Sequence, residues 1–91
     1  MDLWRTTTPR KLCDTVITEK RRDRNGNTVF TARVGLALIR ESRDFSLTEA
    51  ENHVNVALQA LLNYSIHFEY RLLDFRITDQ KHGLFVFERL P

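Results

Sequence analysis

Asn25-Gly26, set between two β-prone runs, limits the folds open to this chain more than any other feature. The pair suits a tight type I′ turn, in which both central residues need φ > 0. Leu12–Lys20 precedes it as a strand and Thr28–Arg40 follows it as a second. The two should fold back on each other as a β-hairpin. Lys20, Arg21, Arg22 and Arg24 then crowd its tip, with Asp23 as the one acid among them. In the second strand, Phe30, Ala32, Val34, Leu36 and Leu38 alternate onto one face. Gly35 inside that run marks a bulge or a close backbone approach.

A helix follows. Ser46-Leu47-Thr48-Glu49 fits a capping box, with Ser46 accepting from the Glu49 amide and the Glu49 carboxylate reaching back. At 100° per residue, Leu47, Ala50, Val54, Ala57, Leu58, Leu61 and Leu62 form one apolar stripe. Asn52 and His53 fall opposite that stripe or at its margin, and Val56 is an isolated apolar residue on the polar side, a candidate contact.

Beyond Asn63-Tyr64 a long strand changes phase. Ile66, Phe68, Tyr70 and Leu72 alternate inward, then Leu73, Phe75 and Ile77 continue one residue out of step, as a β-bulge would leave them. His67, Glu69, Arg71, Asp74 and Arg76 take the other face with alternating sign. After a turn at Asp79–Gly83, Leu84–Leu90 forms the last strand, with Phe85 and Phe87 on one face and Leu84 and Val86 on the other.

The expected fold is a two-layer α+β domain over residues 11–91, preceded by an extended arm over 1–10 that carries Trp4. One amphipathic helix covers a four-stranded, mainly antiparallel sheet in the order β-β-α-β-β, either as a β-grasp-like arrangement with parallel central first and last strands or as a meander. One helix covers one face, so the other needs a second cover, for which a second copy of the chain is the simplest candidate.

Composition narrows function by exclusion. The single cysteine, Cys13, allows no internal disulfide, fits a reducing cytoplasmic setting, and reads as a small buried hydrophobe on the first strand. No secretory signal and no membrane span are expected, since the longest apolar run is Val34–Ile39. His53, His67 and His82 share no metal-ligand or nucleophile spacing with Cys13 or a carboxylate, and the three glycines build no phosphate loop. No catalytic residue, metal site or cofactor is expected. Residues 1–44 hold ten Lys/Arg and six Asp/Glu, and residues 45–91 hold four and six, so the basic bias lies in the hairpin half.

Two binding functions remain. The first is a non-enzymatic protein-interaction module, regulatory, inhibitory or structural, acting as a homodimer with contacts through Trp4, Val56, Phe85 and Phe87. The alternative is a nucleic-acid-binding accessory protein using Lys20, Arg21, Arg22 and Arg24. Lys81–Phe87 lacks the small residue and the aromatic spacing of RNA-recognition motifs and reads as a core strand.

Overall fold

A computed structural model describes residues 13–65 and 69–90; Trp4, the expected arm and residues 66–68 lie outside the described residues. Five strands and one helix follow in the order β1 (Cys13–Arg22), β2 (Thr28–Val34), β3 (Ala37–Ser42), α1 (Glu49–Tyr64), β4 (Glu69–Thr78) and β5 (His82–Leu90). The fold is α+β, with one helix on an antiparallel sheet of order β3-β2-β1-β5-β4.

The expected second strand is two strands, which makes the sheet five-stranded. Gly35 has φ +55° and forms a two-residue turn with Leu36, closed by the Val34–Ala37 pair. That is the position a II′ hairpin assigns to glycine. A Cβ at Gly35 would also come within 2.9 Å of the Tyr64 ring. The turn resets the alternation. Ala37 and Ile39 pack against the core, while Leu36 and Leu38, expected beside Phe30, are exposed.

The extra hairpin also sends the chain into the helix from the opposite end of the sheet, reversing every strand that follows. β1 and β5 are neighbours near the centre, as in a β-grasp, but they run antiparallel, with Val16 opposite Phe85. A meander fails too, because β1 lies between β2 and β5.

The first turn is not type I′. Asn25 keeps a negative φ, and only Gly26 is left-handed, at +83°. The Gly26 amide donates to the Asp23 carbonyl at 3.0 Å, and the Asp23 amide donates to the Asn27 carbonyl at 2.9 Å. This is a three-residue loop with glycine at its left-handed end. The left-handed pair sits instead at Asp79 and Gln80, φ +53° and +59°, between β4 and β5.

The helix starts two residues later than expected. Thr48, not Ser46, is the N-cap: its hydroxyl accepts from the Glu51 amide at 3.1 Å, and Glu51 accepts from the Thr48 amide at 2.8 Å. Ser46 instead donates its amide and its hydroxyl to Asp44. The buried stripe is Asn52, His53, Val56, Ala57, Ala60 and Leu61, rotated by roughly 100°, one residue's step, from the leucine stripe. Val56 is fully buried, whereas Leu58 and Leu62 are exposed.

Two polar residues explain the rotation. The Asn52 amide donates to the carbonyls of Asp44 (3.0 Å) and Thr48 (2.9 Å), and its oxygen accepts from the Asp44 amide at 2.9 Å. The His53 Nε2–H donates to the Gln80 carbonyl at 3.0 Å, so Nδ1 is the nitrogen that accepts the Thr18 hydroxyl at 2.6 Å. Buried polar groups supplied with partners cost little. Gly83 gives this pair room, since a Cβ there would stand 2.2 Å from Thr18 Oγ1.

Helix α1 packs on β1, β2 and β3. The core joins Val16, Phe30, Ala32 and Val34 to the helix and to Phe85 and Phe87. Cys13 is exposed rather than buried. The phase change in the fourth strand is present: Leu72 pairs with Phe87 and Asp74 with Val86, leaving Leu73 as the extra residue of a bulge.

Candidate functional site

Among the described residues, no helix covers the sheet face opposite α1. Residues paired across an antiparallel ladder share a face, so the register reads that face off directly. One row crosses all five strands: Leu38, Arg33, Ile17, Leu84, Arg76. Three aliphatic side chains share it with two arginines, Ile17 and Leu84 lying side by side. Ile17, Leu38 and Leu84 are 56%, 59% and 45% exposed, values far from those of a core. The next row runs Arg40, Thr31, Glu19, His82, Thr78. Its acid, Glu19, lies 3.7 Å from Arg21 and 3.5 Å from His82.

Toward the β1–β2 turn this face hollows into an open depression of about 430 Å³, where Arg21, Arg24 and Arg40 meet Val29, Thr31 and Leu38. A second depression of about 300 Å³ adjoins it and reaches Ile17 and Arg33. Asp23 belongs to the turn rather than to the charge balance alone. Its carboxylate accepts the amides of Asn25 (2.8 Å) and Asn27 (2.9 Å). The Asn27 amide is the main reason that its pKa is held below the ordinary carboxylate value.

The four cations expected at the tip divide. Arg21 and Arg24 line the larger depression. Arg22 also borders it, but its guanidinium donates to the Gly26 carbonyl at 3.0 Å and closes the turn. Lys20 points to the helix side, where its ammonium lies 2.7 Å from Glu49, with Arg43 at 3.7 Å from the same oxygen. The Lys20 hydrogen bond holds the Glu49 pKa down. Lys20 is therefore an anchor of α1. Arg40 joins this corner only through the turn at Gly35, which no polar turn residue beside the glycine marks in the sequence. Only that turn folds Arg40 back beside Arg21.

The expected protein contacts also redistribute. Val56, Phe85 and Phe87 are 0%, 0% and 2% exposed, so the fold uses all three as core. Trp4 lies outside the described residues. Among the large apolar groups that do reach the surface are Ile17, Leu38 and Leu84 on the open face, Leu58 and Leu62 on the helix, and Leu72, Leu73 and Phe75 on β4, with Leu36 and Phe45 exposed in turns. Phe75 stacks on Phe85 with ring centres 5.8 Å apart, on the helix side of the sheet, yet it stays about half exposed.

Among the described residues, no three His, Cys, Asp or Glu side chains gather where they could hold a metal ion, and no helix is long and apolar enough to cross a membrane. The chain matches no protein-family model, no curated protein and no solved structure.

Proposed function

We propose that this chain is a non-enzymatic protein-interaction module that works as a homodimer and takes an acidic protein surface on the open face of its sheet. The observation that carries the reading is the row Leu38, Arg33, Ile17, Leu84, Arg76. A solvated sheet face alternates with polar residues inserted against water. This one mixes two arginines with three exposed aliphatic side chains, which suits a partner that carries carboxylates around an apolar patch. Arginine adds planar, bidentate carboxylate recognition. Among the described residues the face holds no Phe, Tyr or Trp ring on which a base could stack, and its imidazole, His82, lies 3.5 Å from Glu19.

The test is affinity capture from the native host with wild type and with Ile17→Glu/Leu38→Glu. A protein retained by wild type and lost with the variant is the expected result. Equal retention by both overturns the assignment to this face.

A second reading draws on the basic depression formed by Arg21, Arg24 and Arg40. Here the chain is a nucleic-acid-binding accessory protein that presses this corner on phosphates. Three or four phosphate contacts give a log K against log salt slope of roughly −3. Binding of a labelled duplex or single strand at about 50 mM salt, abolished by Arg21→Glu/Arg24→Glu/Arg40→Glu, would favour it. Undetectable wild-type binding would remove it.

A further inference from the structure

Strand β4 is a sheet edge, and eight of its ten residues are exposed. Its apolar residues are arranged as a near-palindrome in which mirrored charges have opposite sign: Glu69-Tyr70-Arg71-Leu72-Leu73-Asp74-Phe75-Arg76. We propose that two copies of this chain pair antiparallel along β4, about a two-fold axis, with Leu72 of each copy opposite Leu73 of the other. The inference rests on the homodimer in the proposed function and gives it a place and a register.

In this register Glu69 meets Arg76 of the second copy, Arg71 meets Asp74, and Tyr70 meets Phe75. Symmetry repeats each pair, so four ion pairs and two aromatic pairs line one interface. Directly opposed unlike charges and aromatic pairs are the contacts that stabilise antiparallel strands, and like charges so placed destabilise them.

The bulge makes the register work. A two-fold axis perpendicular to the sheet keeps each face on its own side, so paired residues must share a face. Glu69 and Arg76 are an odd number of residues apart, and on a regular strand they would point to opposite sides. The extra residue at Leu73 shifts the phase. Glu69 and Arg71 then share the outer face with Asp74 and Arg76, while Tyr70 and Leu72 share the inner face with Phe75 and Ile77. Registers confined to one side of the bulge are shorter and place Glu69 or Arg76 near the axis, never both.

The other edge has no such pattern. On β3, Arg40 pairs with Thr31 and Glu41 with Phe30, so its cation and its acid take opposite faces. Pairing through β4 therefore closes as a dimer instead of growing into a fibre. Asp74 now accepts the Phe75 amide at 2.8 Å. In the dimer a backbone carbonyl takes that amide, and the carboxylate turns to Arg71 of the second copy.

Glu69 and Arg76 of one copy are seven residues apart on one extended strand, about 23 Å, and do not reach each other. Charge rescue between these positions therefore reports on a second copy. The experiment is sedimentation equilibrium of wild type, Glu69→Arg, Arg76→Glu and a 1:1 mixture of the two variants, with circular dichroism to show that each is folded. Wild type is expected to dimerise, each variant to dimerise at least about tenfold more weakly, and the mixture to recover wild-type association. A wild-type dimer indifferent to both reversals, or a mixture no tighter than its components, overturns the register and leaves the dimer standing. A wild-type monomer at about 100 µM overturns the dimer itself and the register with it.

Discussion

Phe30 and Phe75 lie on the same side of the same sheet and meet opposite fates. Phe30, on β2, is 1% exposed beneath α1, whereas Phe75, on β4, is 52% exposed with only the Phe85 ring stacked on it. Both occupy helix-side positions of a well-formed ladder. The difference is the footprint of one sixteen-residue helix, which packs mainly on β1, β2 and β3. Apolar character decides which side chains need cover. The reach of the covering element decides which of them get it, and those left over mark where a second chain belongs.

The largest test of this contrast is a pair of truncations. Phe30→Ala should destabilise the fold by about 3–5 kcal/mol, through lost burial and the cavity left under the helix. Phe75→Ala should cost under about 1.5 kcal/mol, because half of that ring already meets water. Denaturant unfolding at a protein concentration below dimerisation separates the two, since association would add its own stability to wild type. Equal costs would mean that β4 is covered after all and would break the comparison.

A smaller effect comes from the seam between the halves. His53 reaches from α1 to Thr18 on β1 and to the Gln80 carbonyl in the β4–β5 turn, and its ring meets Phe30 edge-on at 5.0 Å. Its hydrogen bonds thus tie α1 at once to β1 and to the β4–β5 turn. Burial lowers its pKa below the ordinary 6.5, against the opposing pull of the Gln80 carbonyl and of Glu49; Lys20 and His82 add to the lowering. The unfolded chain thus binds the proton first as pH falls. Stability from this group is complete above about pH 6.5 and is lost as pH drops from there through the folded-state pKa. His53→Ala should lower stability at pH 7 by about 2–4 kcal/mol by stranding Thr18 and the Gln80 carbonyl, and should flatten this acid limb. An acid limb unchanged in the variant would assign it to other groups.

Parts of this comparison were legible in the sequence. Two adjacent leucines after an alternating run marked the bulge at Leu73, and Glu69, Arg71, Asp74 and Arg76 were readable as one exposed face because sign and spacing agree locally. The turn at Gly35 was not legible, because Leu36 at its tip is apolar and both flanks remain β-prone; with it went the fifth strand, the exposure of Leu38 and the place of Arg40. The orientation of α1 was not legible either. Hydrophobicity favoured the leucine stripe, while the buried stripe depends on Thr18 and Gln80, which are distant in sequence from His53. The burial of Val56, Phe85 and Phe87 is hidden in the sequence for the same reason: which apolar face the helix turns inward is a tertiary outcome.

The smallest predicted effect concerns how the helix is held over the covered half. Two capping boxes overlap in Ser46-Leu47-Thr48-Glu49-Ala50-Glu51, and only the one at Thr48 and Glu51 forms. Starting at Thr48 leaves Glu49 in the first turn, facing Lys20 at 2.7 Å, and leaves Asp44 free to be gripped by Asn52. A start at Ser46 would place Glu49 at the third helical position with its carboxylate turned back to the cap, away from Lys20. Thr48→Ala should therefore cost about 1 kcal/mol. Ser46→Ala, which loses only an exposed bond to Asp44, should cost no more than about 0.5 kcal/mol. If Ser46→Ala proved the costlier of the two, the helix would begin a half-turn earlier in solution. The Lys20–Glu49 contact that fixes it over β1 would then be absent, and the boundary between the covered and bare halves of the sheet would have to be redrawn.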